Sequence, residues 1–425
     1  MPVVAQRNRA VVRRVAGLAR STPGRLSLLA LLLVVASLVA GAVTAAAVQR
    51  RSAALAALAD RSEPLAFAAQ EVYRAMADAD ATAAGAFLSG GVGSAALRER
   101  YEADVARAAA ALAAAAGGNT RSPGLAGPLS TMSGQLPVYT GLVETARTHN
   151  RQGNPVGAAY LREASDLMRE RLLPAADELY RLETRNARRD LADAASPPWP
   201  ELAAGLLLLA ALVAAQRHLT RRTNRVFNVG LVAASVACVV SLLWVLVASL
   251  VVVRGAARGG EDAARLDLLA RAGIATLAAR GNETLALVAR GSGGEYERLY
   301  RSASGELGDL LGRAGATRGP VAEAGAQHRR WQEAHERVRA ADDEGDFTTA
   351  VELALGPGED GAAVAFGELS SDLAEALELT RAELTGGIAR ARGALTGAVP
   401  VVALLALLTA AASTAGLWQR LKEYR

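Results

Sequence analysis

Four stretches of this chain carry no ionisable side chain: residues 26–48, 202–215, 226–253 and 394–418. A bilayer core asks for about 20 consecutive apolar residues in one helix, and three of the runs meet that length unaided. The second reaches it by including Trp199, Pro200 and Glu201 at one end and Gln216 at the other. Trp199 and Trp418 then fall at interfaces, where an indole has both an apolar body and a polar edge to satisfy. The chain is therefore expected to cross a membrane four times. Small residues from Ala45 to Ala47 resemble a signal-peptide cleavage site. The apolar core before them is longer than an h-region of roughly 7–15 residues, which favours an uncleaved anchor.

Charge orients these spans. Residues 1–25 carry Arg7, Arg9, Arg13, Arg14, Arg20 and Arg25 and no acid, and 217–225 carry Arg217, Arg221, Arg222 and Arg225 and no acid. The last seven residues carry Arg420, Lys422 and Arg425 against Glu423. Segment 49–198 balances 17 basic with 17 acidic residues, and 254–392 sets 17 against 23. Short basic segments stay on the cytoplasmic side. The expected order is a cytoplasmic tail 1–25, span 26–48, outside segment 49–198, span 199–216, cytoplasmic loop 217–225, span 226–253, outside segment 254–392, span 393–418 and tail 419–425. The net charge of +5 reports topology and contact with the lipid bilayer, not nucleic-acid binding.

The outside segments read as two copies of one unit. Gly153-Asn154-Pro155 precedes an Ala-rich helix, and Gly345-Asp346-Phe347 stands 192 residues later in the equivalent place. In each, a Gly ends one helix and an Asn or Asp caps the next. Phe87-Leu88-Ser89-Gly90-Gly91 loosely matches the stretch from Ala289 to Gly294, with Tyr101 and Tyr300 following. Leu55, Ser62, Ala69 and Met76 recur every seven residues beside Leu58, Leu65 and Val72; Leu161, Met168, Ala175 and Leu182 interleave with Leu172 and Leu179. Ile274, Leu277, Thr284 and Val288, then Phe366, Leu369 and Leu373, repeat the pattern less cleanly. Such stripes mark packed helices. The fold class is all-α: four transmembrane helices with two tandem extracytoplasmic four-helix bundles, broken near 90–94, 117–127, 149–155, 291–294, 314–320 and 343–346.

Catalytic chemistry is missing. Gly356-Pro357-Gly358-Glu359-Asp360-Gly361 fits G-x-G-x-x-G by letter, but no strand pattern precedes it and its carboxylates repel phosphate; it reads as a break in the last outside helix. His328 and His335 stand seven apart, about 10 Å of helical rise, too far to share one metal, and read as solvated helix residues. Asn282-Glu283-Thr284 is a sequon by pattern only. Cys238 is the single cysteine, which rules out disulfides and Cys-based zinc sites. The spans carry no charge at depth, unlike an ion-coupled transporter. No enzyme activity, cofactor or metal site is expected.

The turn Gly153-Asn154-Pro155 and the run Leu173-Pro174-Ala175-Ala176-Asp177-Glu178-Leu179 resemble the third-to-fourth helix region of chemoreceptor-type sensory bundles. Chemoreceptors and sensor kinases continue into cytoplasmic output domains; the topology here predicts only short inside segments and no output domain of its own. The whole plan resembles the actinobacterial membrane component that links an extracytoplasmic glutamine-binding-type lipoprotein to a PknG-type Ser/Thr kinase. That resemblance implies amino-acid sensing, with a solute-binding lipoprotein outside and a Ser/Thr kinase inside as partners. A direct small-ligand receptor, a structural envelope scaffold and a homodimer remain open alternatives. Arg217, Arg221, Arg222 and Arg225 are the candidate contact for an acidic cytoplasmic partner.

Overall fold

A computed structural model describes residues 22–89, 94–117, 124–223, 228–315 and 319–422. Among these the regular structure is entirely helical. Helix α1 (Thr22–Ala57) passes through a π-helical turn (Leu58–Ser62) into α2 (Glu63–Leu88); α3 (Ser94–Gly117) and α4 (Ala126–Arg151) follow. Next, α5 (Val156–Leu167) passes through a second π turn (Met168–Leu172) into α6 (Leu173–Ala194), and α7 (Trp199–Thr223) comes after it. The 60-residue α8 (Val229–Val288) leads to α9 (Gly294–Ala314), α10 (Pro320–Asp343), α11 (Phe347–Leu355), α12 (Ala362–Leu395) and α13 (Ala398–Lys422). Each π turn inserts one residue per turn, which resets the phase of the apolar stripe that crosses it.

Two compact units emerge. The span unit comprises residues up to Ala56, Leu191–Ala257 and Ile388 onward; the large unit comprises Ala57–Asp190 and Arg258–Gly387. Four helical stretches are long and apolar enough to cross a membrane, their most apolar windows falling in Leu26–Leu88, Val156–Arg221, Val229–Val288 and Ala362–Gln419.

In the span unit, small residues let backbones approach, since lipid offers no hydrophobic drive between apolar helices and close packing must hold them. A Cβ on Gly230 would collide with the Gly416 backbone, and Asn228 donates to the Gly416 carbonyl at 2.8 Å. Helix α7 continues through Thr223, beyond the expected span limit at Gln216; Arg217 and Arg221 occupy its last turns rather than a loop. Arg and Leu supply four of the six residues 217–222 and neither Gly nor Pro interrupts them, so nothing local stops the helix there. The return into the fourth span is broken: Gly397 takes φ 78° and Thr396 N–H bonds Gly393 O at 3.1 Å. Pro400 is tolerated because it sits in the first turn of α13.

In the large unit, most stripe positions are buried: Leu58, Ser62, Ala69, Val72, Met76, Leu161, Met168, Leu172, Leu179, Leu277, Leu369 and Leu373. One apolar cluster gathers α2 to α6 and takes in Ala270, Leu285 and Val288 from α8. The other gathers α8 to α12 and takes in Ala77 from α2. The two helical sets thus share core residues within one compact unit.

Two turns in this unit have matching geometry. Gly153 and Gly345 have φ 68° and 83°. Gly153 N–H bonds Asn150 O at 3.0 Å and Asn154 N–H bonds His149 O at 2.9 Å. Gly345 N–H bonds Asp342 O at 3.1 Å and Asp346 N–H bonds Ala341 O at 2.9 Å. Every donor and acceptor in the second set stands 192 residues after its counterpart. The break at 356–361 divides the last return into α11 and α12.

Candidate functional site

Helix α2 buries acids among its small apolar residues. Ala75, Met76, Ala79 and Ala83 are buried, and so are Asp78 and Asp80 between them. Asp80 Oδ1 accepts from Ser165 Oγ at 2.9 Å and Tyr139 Oη at 3.3 Å. Burial pushes its carboxyl up to about 6, with the Ser165 hydrogen bond and the Arg169 charge only partly opposing. Asp104 Oδ2 accepts from Thr82 at 3.2 Å and its Oδ1 from Arg107 at 2.8 Å. Asp78 is also pushed up to about 6, by burial and then by the Asp104 charge, against Arg74. Asp78 and Asp80 thus take up a proton more readily than a free carboxyl, because a charge held away from water is disfavoured.

A second network lies in the core formed by α8, α9 and α10. Glu283 is 1% exposed. It accepts from Arg280 Nη1, from Trp331 Nε1 at 3.1 Å, and faces His335 Nδ1 at 3.0 Å. His335 Nε2 lies 3.0 Å from Glu297 Oε2, and its ring stacks on Tyr300 with centroids 3.6 Å apart. Burial alone would lower the His335 pKa, but the two carboxylates carry it above the ordinary value. Burial would raise Glu283, yet Arg280 and His335 hold it below the carboxylate range. Glu297 is lowered chiefly by its bond to His335. A protonated imidazole between two carboxylates satisfies both ring N–H groups.

Between α2, α3, α8 and α12 runs a narrow cleft of about 60 Å³, partly open to solvent. Its polar lining includes Arg74, Asp78 and Arg100, and its apolar lining includes Ile274, Leu277 and Leu373. Ser370 also lines it, with a buried Oγ that has no hydrogen-bond partner. Cations and an unengaged hydroxyl beside an apolar wall suit a carboxylate group entering from solvent.

Of the sequence-predicted partner contacts, Arg217 and Arg221 are exposed one turn apart on α7, and Arg222 lies on the same helix. Arg225 falls outside the described residues. The histidines depart from the expected solvated state: His328 is 5% and His335 4% exposed. His328 Nε2 lies 2.9 Å from Ser304 Oγ, and burial lowers its pKa. Seven-residue spacing returns a side chain to nearly the same helix face, and that face is the buried one. Asn282 is buried too, donating to Ala278 O at 2.8 Å. Sequence reasoning passed over Asp78 and Asp80, although acids inside an Ala-rich apolar run were a visible signal, and it read Glu283 only as part of a sequon pattern. Among the described residues no group of three or more His, Cys, Asp or Glu could hold a metal.

Residues 54–192 match the family model described as the actinobacterial sensor domain. The match covers the first π turn, α2 to α5, the second π turn and nearly all of α6, and with them the Asp78–Asp80–Asp104 cluster. It supports a sensing role for the chain. No curated protein and no solved structure matches the chain.

Proposed function

We propose that this chain is a non-catalytic transmembrane sensor subunit that relays extracytoplasmic amino-acid status to a cytoplasmic Ser/Thr kinase through a solute-binding lipoprotein. The observation that carries the sensing part is the sensor-domain match over 54–192, a segment set between the first and second apolar runs. The partners follow from the family resemblance alone. The large unit, in this reading, faces outward and consists of two duplicated bundles. The paired turns at Gly153 and Gly345, with matching hydrogen bonds, support the duplication. The test uses the full chain in lipid nanodiscs. Binding of a lipoprotein encoded beside it should change with an amino-acid panel, and kinase activity on the opposite face should follow. A chain that engages neither partner under any amino acid sinks the relay.

The cleft beside Arg74 and Arg100 favours a second reading, in which a small carboxylate binds the large unit directly. Thermal melts of the full chain with the same panel, without lipoprotein, separate the two. A shift that disappears in Arg100→Ala assigns direct sensing.

A further inference from the structure

An acid stands where the second reading puts an anion. Asp78 lines the same narrow cleft as Arg74 and Arg100, and it is 7% exposed. Arg74 sits one turn before it on α2, with Nε 3.8 Å from Asp78 Oδ2, too long for a hydrogen bond. From α3, Arg100, Asp104 and Arg107 act on Asp78. Asp104 is 1% exposed and is already engaged, accepting from Arg107 at 2.8 Å and from Thr82 at 3.2 Å. The lining that α8 and α12 bring to the cleft is uncharged.

The one unengaged hydroxyl of the lining falls beside Arg74. Arg381 of α12 donates to Glu63 of α2 at 2.7 Å. Ser370 and Arg74 line one cleft and each stands eleven residues from that pair. Helices α12 and α2 therefore run antiparallel, with Ser370 level with Arg74. A carboxylate held by Arg74 and the Ser370 hydroxyl takes that cation from Asp78 and sets a second anion next to it. Burial and the Asp104 charge already push Asp78 up to about 6, and an added anion acts in the same direction. Protonation removes the conflict, because a neutral Asp78 no longer competes for Arg74 and gains an O–H donor.

We infer that the cleft binds a carboxylate together with a proton, the anion on Arg74 and the Ser370 hydroxyl and the proton on Asp78. This coupling rests on the direct-binding reading above and adds its regulation. The proton comes from solvent through the open side of the cleft. Acid strengthens carboxylate binding, and the carboxylate raises the proton affinity of Asp78 by the same factor. The large unit then responds to a carboxylate most strongly in an acidic medium.

Calorimetric titration of the full chain in nanodiscs with sodium butyrate, at pH 6 and pH 8, tests this; butyrate is ionised at both. Its Kd should be at least fivefold tighter at pH 6. At pH 7, titrations in HEPES and in Tris, which differ in ionisation enthalpy, should show net proton uptake with butyrate. Asp78→Asn should bind butyrate at pH 8 about as tightly as the native chain does at pH 6, with the pH dependence gone. Equal Kd at both pH values, or a pH dependence that persists in Asp78→Asn, overturns the coupling and leaves direct binding standing. Where Asp78→Asn does not fold, the native chain decides: butyrate bound without proton uptake overturns the coupling. A chain that binds no butyrate at either pH overturns it too, and the amino-acid melts then decide the direct-binding reading separately.

Discussion

His335 Nδ1 lies 3.0 Å from Oε1 of Glu283, two groups 52 residues apart that share one buried site. The far nitrogen of the same ring lies 3.0 Å from Glu297, and Arg280 and Arg339 flank the two acids. The His335 pKa is raised in the fold. Its contribution to stability is therefore full below the unfolded value near 6.5 and is lost as pH rises through the folded value. The apparent Tm of the solubilised full chain should fall over that upper range. His335→Gln should flatten the fall and, by leaving Glu283 short of a charged partner, cost about 3–5 kcal/mol at pH 6. A native pH profile unchanged by His335→Gln contradicts this account.

Asp80 behaves with the opposite balance of terms. Its folded pKa, about 6, stands above that of a free carboxyl. The fold then binds the proton more tightly than the unfolded chain, and stability declines as pH climbs through this window. Asp80→Asn keeps an oxygen for Ser165 and Tyr139 and removes the buried charge. It should stabilise the chain at pH 8 by on the order of 1–3 kcal/mol, with the advantage vanishing near pH 4. Melts of both forms at the two pH values decide it; destabilisation at pH 8 would mean the charge is needed.

The contrast between these groups shows what local sequence can and cannot tell. The ion-free runs announced four helices long and apolar enough to cross a membrane, because a helix in lipid must hide its backbone and expose only apolar atoms. The turns at Gly153 and Gly345 were readable because a left-handed residue ending a helix calls for glycine. Glu283 was not readable: its partners Trp331 and His335 come from another helix, 48 and 52 residues away. Residue type alone assigns a glutamate or a histidine to solvent. Glu201, expected at an interface and found 2% exposed, misled for the same reason, since only packing of the span helices removes it from water. The extent of α7 was missed because the arginines after Gln216 are good helix formers, so charge read as a boundary where the backbone had none.

Topology is checked by single-cysteine labelling after Cys238→Ala, a small change at a buried position in a span. Ser130 and Ser302 are exposed on α4 and α9, and His218 is exposed near the end of α7. Cysteines at Ser130 and Ser302 should react with an impermeant reagent in intact cells, and one at His218 only after lysis. Labelling at His218 in intact cells would overturn the orientation drawn from the positive charges.

The last prediction concerns the basic end of α7. Arg217 and Arg221 stand one turn apart and exposed, so an acidic partner could meet both guanidinium groups along one helix face. Arg222 and Arg225 extend the basic stretch. Charge alone would serve insertion, and lysine supplies that equally well; what lysine lacks is the planar fork that binds a carboxylate through two parallel bonds. Replacing all four arginines by lysine should therefore preserve insertion, read by the His218 cysteine in the same background. It should weaken capture of the cytoplasmic partner about tenfold, the equivalent of about 1.4 kcal/mol. Unchanged capture by a correctly inserted four-lysine chain would leave anionic lipid as the counterpart of these residues.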